Sequence, residues 1–157
     1  MVIKTLLNKK APKFNLQDND GKLHSLKDID SEYVVVYFYP KDNTPGCTIE
    51  ANEFNKALLK FKKLDTTIIG ISGGDEKSKT KFCTKHKLKL LLLSDTDAKV
   101  GKAYHSYGEK KFMGRTYMGF IRNTYILNKK RKIIKVFEKV KPIVHVNEVL
   151  DFLKSQK

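Results

Sequence analysis

Hydrophobic and polar positions follow two periods along this chain. Residues 13–26, "KFNLQDNDGKLHSL", alternate around Asp18-Asn19-Asp20-Gly21. Asn and Gly tolerate positive φ, so the stretch predicts an N-terminal β-hairpin. "YVVVYFY" (Tyr33 to Tyr39) is an unbroken run of β-branched and aromatic residues, the pattern of a central strand buried on both faces. The period then changes: Ala51, Phe54, Leu58 and Phe61 share one face of a helix. "TTIIGIS" (Thr66 to Ser72) predicts a second buried strand, and "DEKSKTKFCTKHKL" (Asp75 to Leu88) a polar helix. "LLLLS" (Leu90 to Ser94) predicts a third strand, followed by a short helix through Val100 and Tyr104. "FIRNTYIL" and "KIIKVFE" read as an antiparallel hairpin, and Pro142 opens a last amphipathic helix carrying Val146, Val149, Leu150 and Leu153.

Alternating βα units imply a mainly parallel sheet covered on both sides, and the closing ββα adds antiparallel strands. The order resembles a thioredoxin-like fold with an extra βα unit before the final hairpin. The expected fold class is therefore α/β: a mixed, mainly parallel central sheet flanked by helices, with an N-terminal β-hairpin. The chain has 157 residues and no internal repeat, low-complexity segment or linker, so residues 1–157 are expected to form one domain. It contains no Cys-x-x-Cys, so the disulfide exchange of thioredoxin itself is not encoded.

Composition and charge narrow the function. Forty per cent hydrophobic and ten per cent aromatic content is that of a globular protein. No apolar run approaches the roughly 18 residues that span a bilayer, and the first residues hold no signal-like apolar stretch. A cytoplasmic protein without membrane contact is the expectation. Lys and Arg outnumber Asp and Glu by 32 to 17, for a net charge of +15. The lysines are dispersed, and the densest run, "NKKRK" (Asn128 to Lys132), lies between two strand-like segments, where a solvated turn accounts for it. Charge alone implies nonspecific polyanion affinity at low salt and no specific nucleic-acid partner.

Two cysteines, Cys47 and Cys83, are too few for a secreted disulfide scaffold. Cys47 follows the central strand, in Thr44-Pro45-Gly46-Cys47. Thr44 suits a helix N-cap, Pro45 the first helical position, and Cys47 then falls in the first turn. A helix N-terminus or a nearby cation lowers a thiol's pKa, and the thiolate is the nucleophile. Gly46 lets the backbone approach a ligand closely. Position alone leaves two readings of Cys47 open, a reactive thiol and an inert buried one.

Pro40, Thr44 and Cys47 form P-x-x-x-T-x-x-C after a buried strand, which resembles the active-site signature of the peroxiredoxins. "FYPKDNTPGCTIEA" is similar to the peroxiredoxin Q branch, also called bacterioferritin comigratory protein. "APKFNLQDNDGK", "LLSDTDAKVGKAY" and "YMGFIRNTYIL" extend the likeness over nearly the whole chain. The resemblance implies a thiol-dependent peroxidase acting on hydrogen peroxide and small alkyl hydroperoxides. Cys47 would be the peroxidatic thiolate that becomes sulfenic acid. Thr44 would offer its hydroxyl to thiolate and peroxide at once, the backbone N–H groups of Gly46 and Cys47 would bind developing charge, and Pro40 would wall the pocket. Arg122, in "FIRNT", matches the family's arginine and would hold the thiolate charged. Glu50, one turn after Cys47, would aim Arg122, although an acid in a first helical turn is favourable in itself. Tyr39, Phe112 and Tyr117 are candidates for the pocket mouth, with the core as the alternative.

Many members of this branch carry a resolving cysteine five residues after the first, where this chain has Asn52. Other members place it in the next helix, at a position resembling Cys83. The resemblance thus implies a disulfide between Cys47 and Cys83, reduced by thioredoxin or a similar dithiol, in a monomer. The alternatives are a one-cysteine peroxidase in which Cys83 is structural, and a basic nucleic-acid-binding protein favoured by charge alone. Lys79, Lys81, Lys85 and Lys87 surround Cys83 in sequence and would favour its thiolate modestly. His24, His86, His105 and His145 have no metal-ligand spacing, so no metal or cofactor is expected.

Overall fold

The computed structural model describes residues 6–156, and of Phe112 the backbone alone. The strands are β1 (Asn15–Gln17), β2 (Leu23–Ser25), β3 (Tyr33–Phe38), β4 (Thr66–Ser72), β5 (Leu91–Ser94), β6 (Tyr107–Phe112), β7 (Arg115–Phe120), β8 (Thr124–Leu127) and β9 (Ile133–Phe137). The helices are α1 (Pro45–Lys56), α2 (Leu58–Lys63), α3 (Glu76–His86), α4 (Lys99–Ala103) and α5 (Pro142–Ser155). Seven strands form one mixed sheet in the order β2-β1-β5-β4-β3-β8-β9. Its centre, β3, β4 and β5, is parallel; β1 and β8 run against it on either side, and β2 and β9 close the edges.

Every residue of β3 is buried, and its side chains alternate between two cores. Tyr33, Val35 and Tyr37 join Phe54, Phe61, Phe82, Val149 and Leu153 on the face covered by α1, α2, α3 and α5. Val34, Val36 and Phe38 join Ile69, Ile71, Val100 and Tyr104 on the face covered by α4. The period-2 geometry of a strand explains how one continuous apolar run serves both.

Two elements depart from expectation. The face through Ala51, Phe54, Leu58 and Phe61 is kept, but not in one helix. At Ala57 the N–H is shared between the carbonyls of Glu53 and Phe54, at 3.3 and 3.1 Å, and this tightening separates α1 from α2. The second is a hairpin absent from the sequence reading: β6 and β7 form a separate two-stranded sheet. Met113 and Gly114 both have positive φ, 52° and 78°, as a two-residue type I′ turn requires. Phe120 at its base is buried in the second core. Among the described residues, no helix is long and apolar enough to cross a membrane.

At the carboxyl ends of the parallel strands, three connections meet. The Phe38 N–H donates to the Asn123 carbonyl at 2.9 Å, and the Tyr39 N–H to the Ile71 carbonyl at 3.1 Å. The segment between β3 and α1 is thereby fixed beside the β7–β8 connection and the end of β4.

Candidate active site

Cys47 owes its place to the strand-to-helix turn. Thr44 is extended (φ −89°, ψ 158°), Pro45 opens α1, and Cys47 is its third residue. The Thr44 carbonyl accepts the Thr48 N–H at 2.8 Å. Its side chain occupies the N-cap position yet makes no capping bond. The hydroxyl donates instead to the Lys41 carbonyl at 3.1 Å, brought into reach by the positive φ of Asn43 (62°). The Thr44 side chain thus leaves the N–H groups of Gly46 and Cys47 unclaimed, at the positive end of the helix dipole.

Arg122 arrives from the connection between β7 and β8. Its backbone is pinned, since its carbonyl accepts the Val140 N–H at 2.8 Å. The guanidinium then reaches two partners: Nη2 donates to Cys47 Sγ at 3.3 Å, and Nη1 to Glu50 Oε1 at 2.8 Å. Gly46 makes room for it. A Cβ at that position would lie 3.1 Å from Arg122 Nη2. Cys47 is buried and Glu50 wholly so. Pro40 is half-buried at the end of the central strand.

The electrostatics follow from burial. Desolvation raises the Glu50 pKa to about 7, against the opposing charge and hydrogen bond of Arg122. Desolvation works against the charged guanidinium too, but Cys47 and Glu50 outweigh it, and the Arg122 pKa lies above its ordinary value. Tyr37 beneath the site is pushed far up, by burial first and by the Glu50 charge second. Its hydroxyl and Glu50 Oε2 are both buried without a hydrogen-bond partner. The arrangement sets a fixed guanidinium and the start of a helix beside the buried Cys47 sulfur.

Cys83 lies in α3, half-buried against the core that also contains Cys47, and both thiols are free. Burial raises the Cys83 pKa, the Asp42 charge adds to this, and Lys79 opposes it. Tyr39 belongs to the core rather than the mouth: it is 1% exposed and its hydroxyl donates to Asp42. Tyr117 is exposed on β7, and the Phe112 side chain lies outside the described residues. Among the described residues no group of three His, Cys, Asp or Glu could hold a metal.

No sign of Lys110 near the thiols stood in the sequence, nor of the burial of Lys79, which figured there only as one of four lysines around Cys83. Lys110 on β6 donates to the Phe120 carbonyl at 2.9 Å and feels the charges of Arg122 and Cys47; burial lowers its pKa. Lys79 is wholly buried in an ion pair with Asp42. Nothing in the pattern separates either from the other lysines of a basic chain.

Comparison with known proteins agrees with this geometry. The AhpC/TSA family profile matches residues 7–136. The chain is 41% identical to peroxiredoxin Bcp of Bacillus subtilis, over 95% of each chain. It is 40% identical to peroxiredoxin Bcp of Escherichia coli, over 92% of this chain and 93% of that one. Among solved structures it is similar to the bacterioferritin comigratory protein of Xanthomonas campestris, studied for alkyl peroxide reduction, with a TM-score of 0.85, 33% identity and 91% of each chain covered. A Cys-to-Ser mutant of Xylella fastidiosa peroxiredoxin Q gives a TM-score of 0.86 at 34% identity, over 97% of this chain and 91% of that one. A buried thiol at a helix start, an arginine against it and these likenesses along the chain have one reading: the protein belongs to the AhpC/TSA family, as a peroxiredoxin of the peroxiredoxin Q, or Bcp, branch.

Proposed function

We propose that the protein reduces hydrogen peroxide and small alkyl hydroperoxides at Cys47, with Cys83 as the resolving thiol. The observation that carries this is Arg122 bonded at once to Cys47 Sγ and Glu50. The Cys47 thiolate attacks the terminal peroxide oxygen and the O–O bond breaks. The leaving oxygen departs as water or alcohol after taking up a proton, and Cys47 becomes sulfenic acid. Arg122 and the N–H groups of Gly46 and Cys47 stabilise the charge moving onto oxygen. Pro40 and Thr44 shape the pocket, and Glu50 orients Arg122. Cys83 then attacks Cys47 Sγ, an S–S bond replaces the S–O bond, and water leaves. A thioredoxin-like dithiol reduces the disulfide. We place the cycle in a cytoplasmic monomer.

A second reading keeps Cys83 out of the cycle, as a packing residue; its half-burial against the first core favours that. Thiol counting after one equivalent of peroxide separates the two. The two-cysteine cycle predicts no free thiol, a mass lower by two hydrogens and a Cys47–Cys83 peptide. One remaining free thiol with normal turnover by an added dithiol establishes the one-cysteine cycle.

A further inference from the structure

Between the two cysteine-bearing helices lies a buried polar joint that peroxide reduction does not use. Lys79 of α3 is 0% exposed. Its Nζ donates to Ser72 Oγ at 2.7 Å, to the Gly74 carbonyl at 3.0 Å and to Asp42 Oδ2 at 3.4 Å. Asp42 is buried as well, and accepts from Ser78 Oγ at 2.7 Å and from the Tyr39 hydroxyl. Its carboxylate is pressed onto the backbone of residue 74, where a Cβ would sit 1.9 Å from Oδ2. One residue on, Asn43 Oδ1 lies 2.9 Å from His86 Nε2.

These contacts have a direction. Asp42 and Asn43 belong to the five-residue run that leads into Cys47. Ser78 and Lys79 precede Cys83 on α3, and His86 follows it. The segment that carries the peroxidatic thiol is therefore fastened to the other helix on both sides of Cys83. Lys79 and Cys83 are one helical turn apart. A buried ion pair is a poor way to gain stability, since desolving two charges offsets most of their attraction. The burial-lowered pKa of Lys79 has the same cause. What such a pair does well is to specify one arrangement, with a discrete closed and open state.

We propose that the Asp42–Lys79 pair is a latch that withholds Cys83 from Cys47, making Lys79 a positioning residue of the resolving step. This rests on Cys83 being the resolving thiol. In the closed state α3 and the first turn of α1 are intact and the thiols are free. Conversion of the thiolate to sulfenic acid removes the anion that Arg122 holds, and loosens the first turn of α1. Movement of residues 41–47 draws Asp42 off Lys79 and frees α3 to present Cys83. The Cys83 thiolate then attacks Cys47 Sγ, the S–S bond forms, the S–O bond breaks, and the departing hydroxyl takes up a proton from solvent and leaves as water. The latch thereby sets how long the sulfenic acid stays open to a second peroxide and to overoxidation.

Rapid-quench alkylation with mass spectrometry, after one equivalent of hydrogen peroxide, reads sulfenic acid formation and disulfide formation separately. Two variants open the latch by different routes. The double variant Asp42→Asn/Lys79→Met removes both charges and strands neither. Gly74→Ala pushes the carboxylate aside with no change of charge. In both, sulfenic acid formation is expected within about twofold of wild type and disulfide formation about tenfold faster, with less overoxidation in excess peroxide. Hydrogen exchange is expected to quicken in residues 41–52 and 76–86 and to stay slow in β3, β4 and β5; a merely structural role would spread the loss through the sheet. If either folded variant forms the disulfide at the wild-type rate or more slowly, the latch is wrong. A wild type that forms no Cys47–Cys83 disulfide removes the resolving role itself. That failure is visible before any variant is compared.

Discussion

At Gly46 a single methyl group is enough to disturb the thiol's surroundings. The added Cβ of Gly46→Ala meets Arg122 Nη2 at 3.1 Å and Pro142 Cγ at 3.7 Å. Alanine suits a helix's first turn, so the fold should persist while the guanidinium shifts, and the reaction with peroxide should slow by about tenfold in stopped-flow measurement. Arg122→Met removes the donor altogether, and a loss of about 100-fold is expected, the scale of deleting one preorganised donor. Unchanged rates in both would return Arg122 to a structural role. Glu50 makes a pH prediction. Its folded pKa, about 7, is above the ordinary 4.5, so the folded protein keeps a proton that the unfolded chain releases. That stabilisation is complete below pH 4.5 and is lost as pH rises through 7. Glu50→Gln should therefore gain on wild type between pH 5 and pH 8, by up to about 3 kcal/mol in denaturant unfolding. A difference that does not vary with pH contradicts this. Cys47 was legible because its neighbours have fixed spacing and a turn chemistry of their own, whereas Arg122 was singled out only by the family resemblance of "FIRNT". Asp42 and Lys79 were not, because a lysine among lysines on a polar helix carries no sign of burial; only the fold brings Asp42, Ser72 and Gly74 around it.

Elements were readable where burial sets the pattern of apolar positions. The run from Tyr33 to Phe38 shows its strand by composition, and its alternation between two cores explains why every position is apolar. Phe54 ties α1 to this strand, 4.8 Å from the Tyr37 ring and fully buried. Phe54→Ala should cost about 3–5 kcal/mol of stability in urea unfolding, for lost transfer and a cavity. A cost below about 1 kcal/mol would mean that α1 is not seated as described. The β6–β7 hairpin was illegible for the opposite reason. Most of β7 is exposed, so its sequence shows no apolar alternation. The one local sign was Met113-Gly114, whose turn type is set by backbone dihedrals that a Met does not announce. The break at Ala57 is hidden in the same way, because the apolar face continues across it.

Over the whole molecule, the net charge of +15 finds internal use in places. In the β8–β9 turn, Arg131 Nη2 donates to the Ile29 and Ser31 carbonyls, and Lys129 reaches Asp30. The remaining lysines are dispersed, so binding to duplex DNA should be weak, independent of sequence and abolished between about 50 and 200 mM salt; a footprint that survives would reveal a real nucleic-acid site. Oxidation by peroxide falls on one sulfur, and Cys83→Ser exposes it, because in that variant the oxidised state of Cys47 cannot pass into a disulfide between the two cysteines. Reduced protein of that variant, treated with one equivalent of hydrogen peroxide and a sulfenic-acid trap, is digested and sequenced by tandem mass spectrometry. The trap should be found on Cys47, at near-stoichiometric yield and at the rate of peroxide loss. Peroxide consumed with Cys47 left as a free thiol would contradict the account.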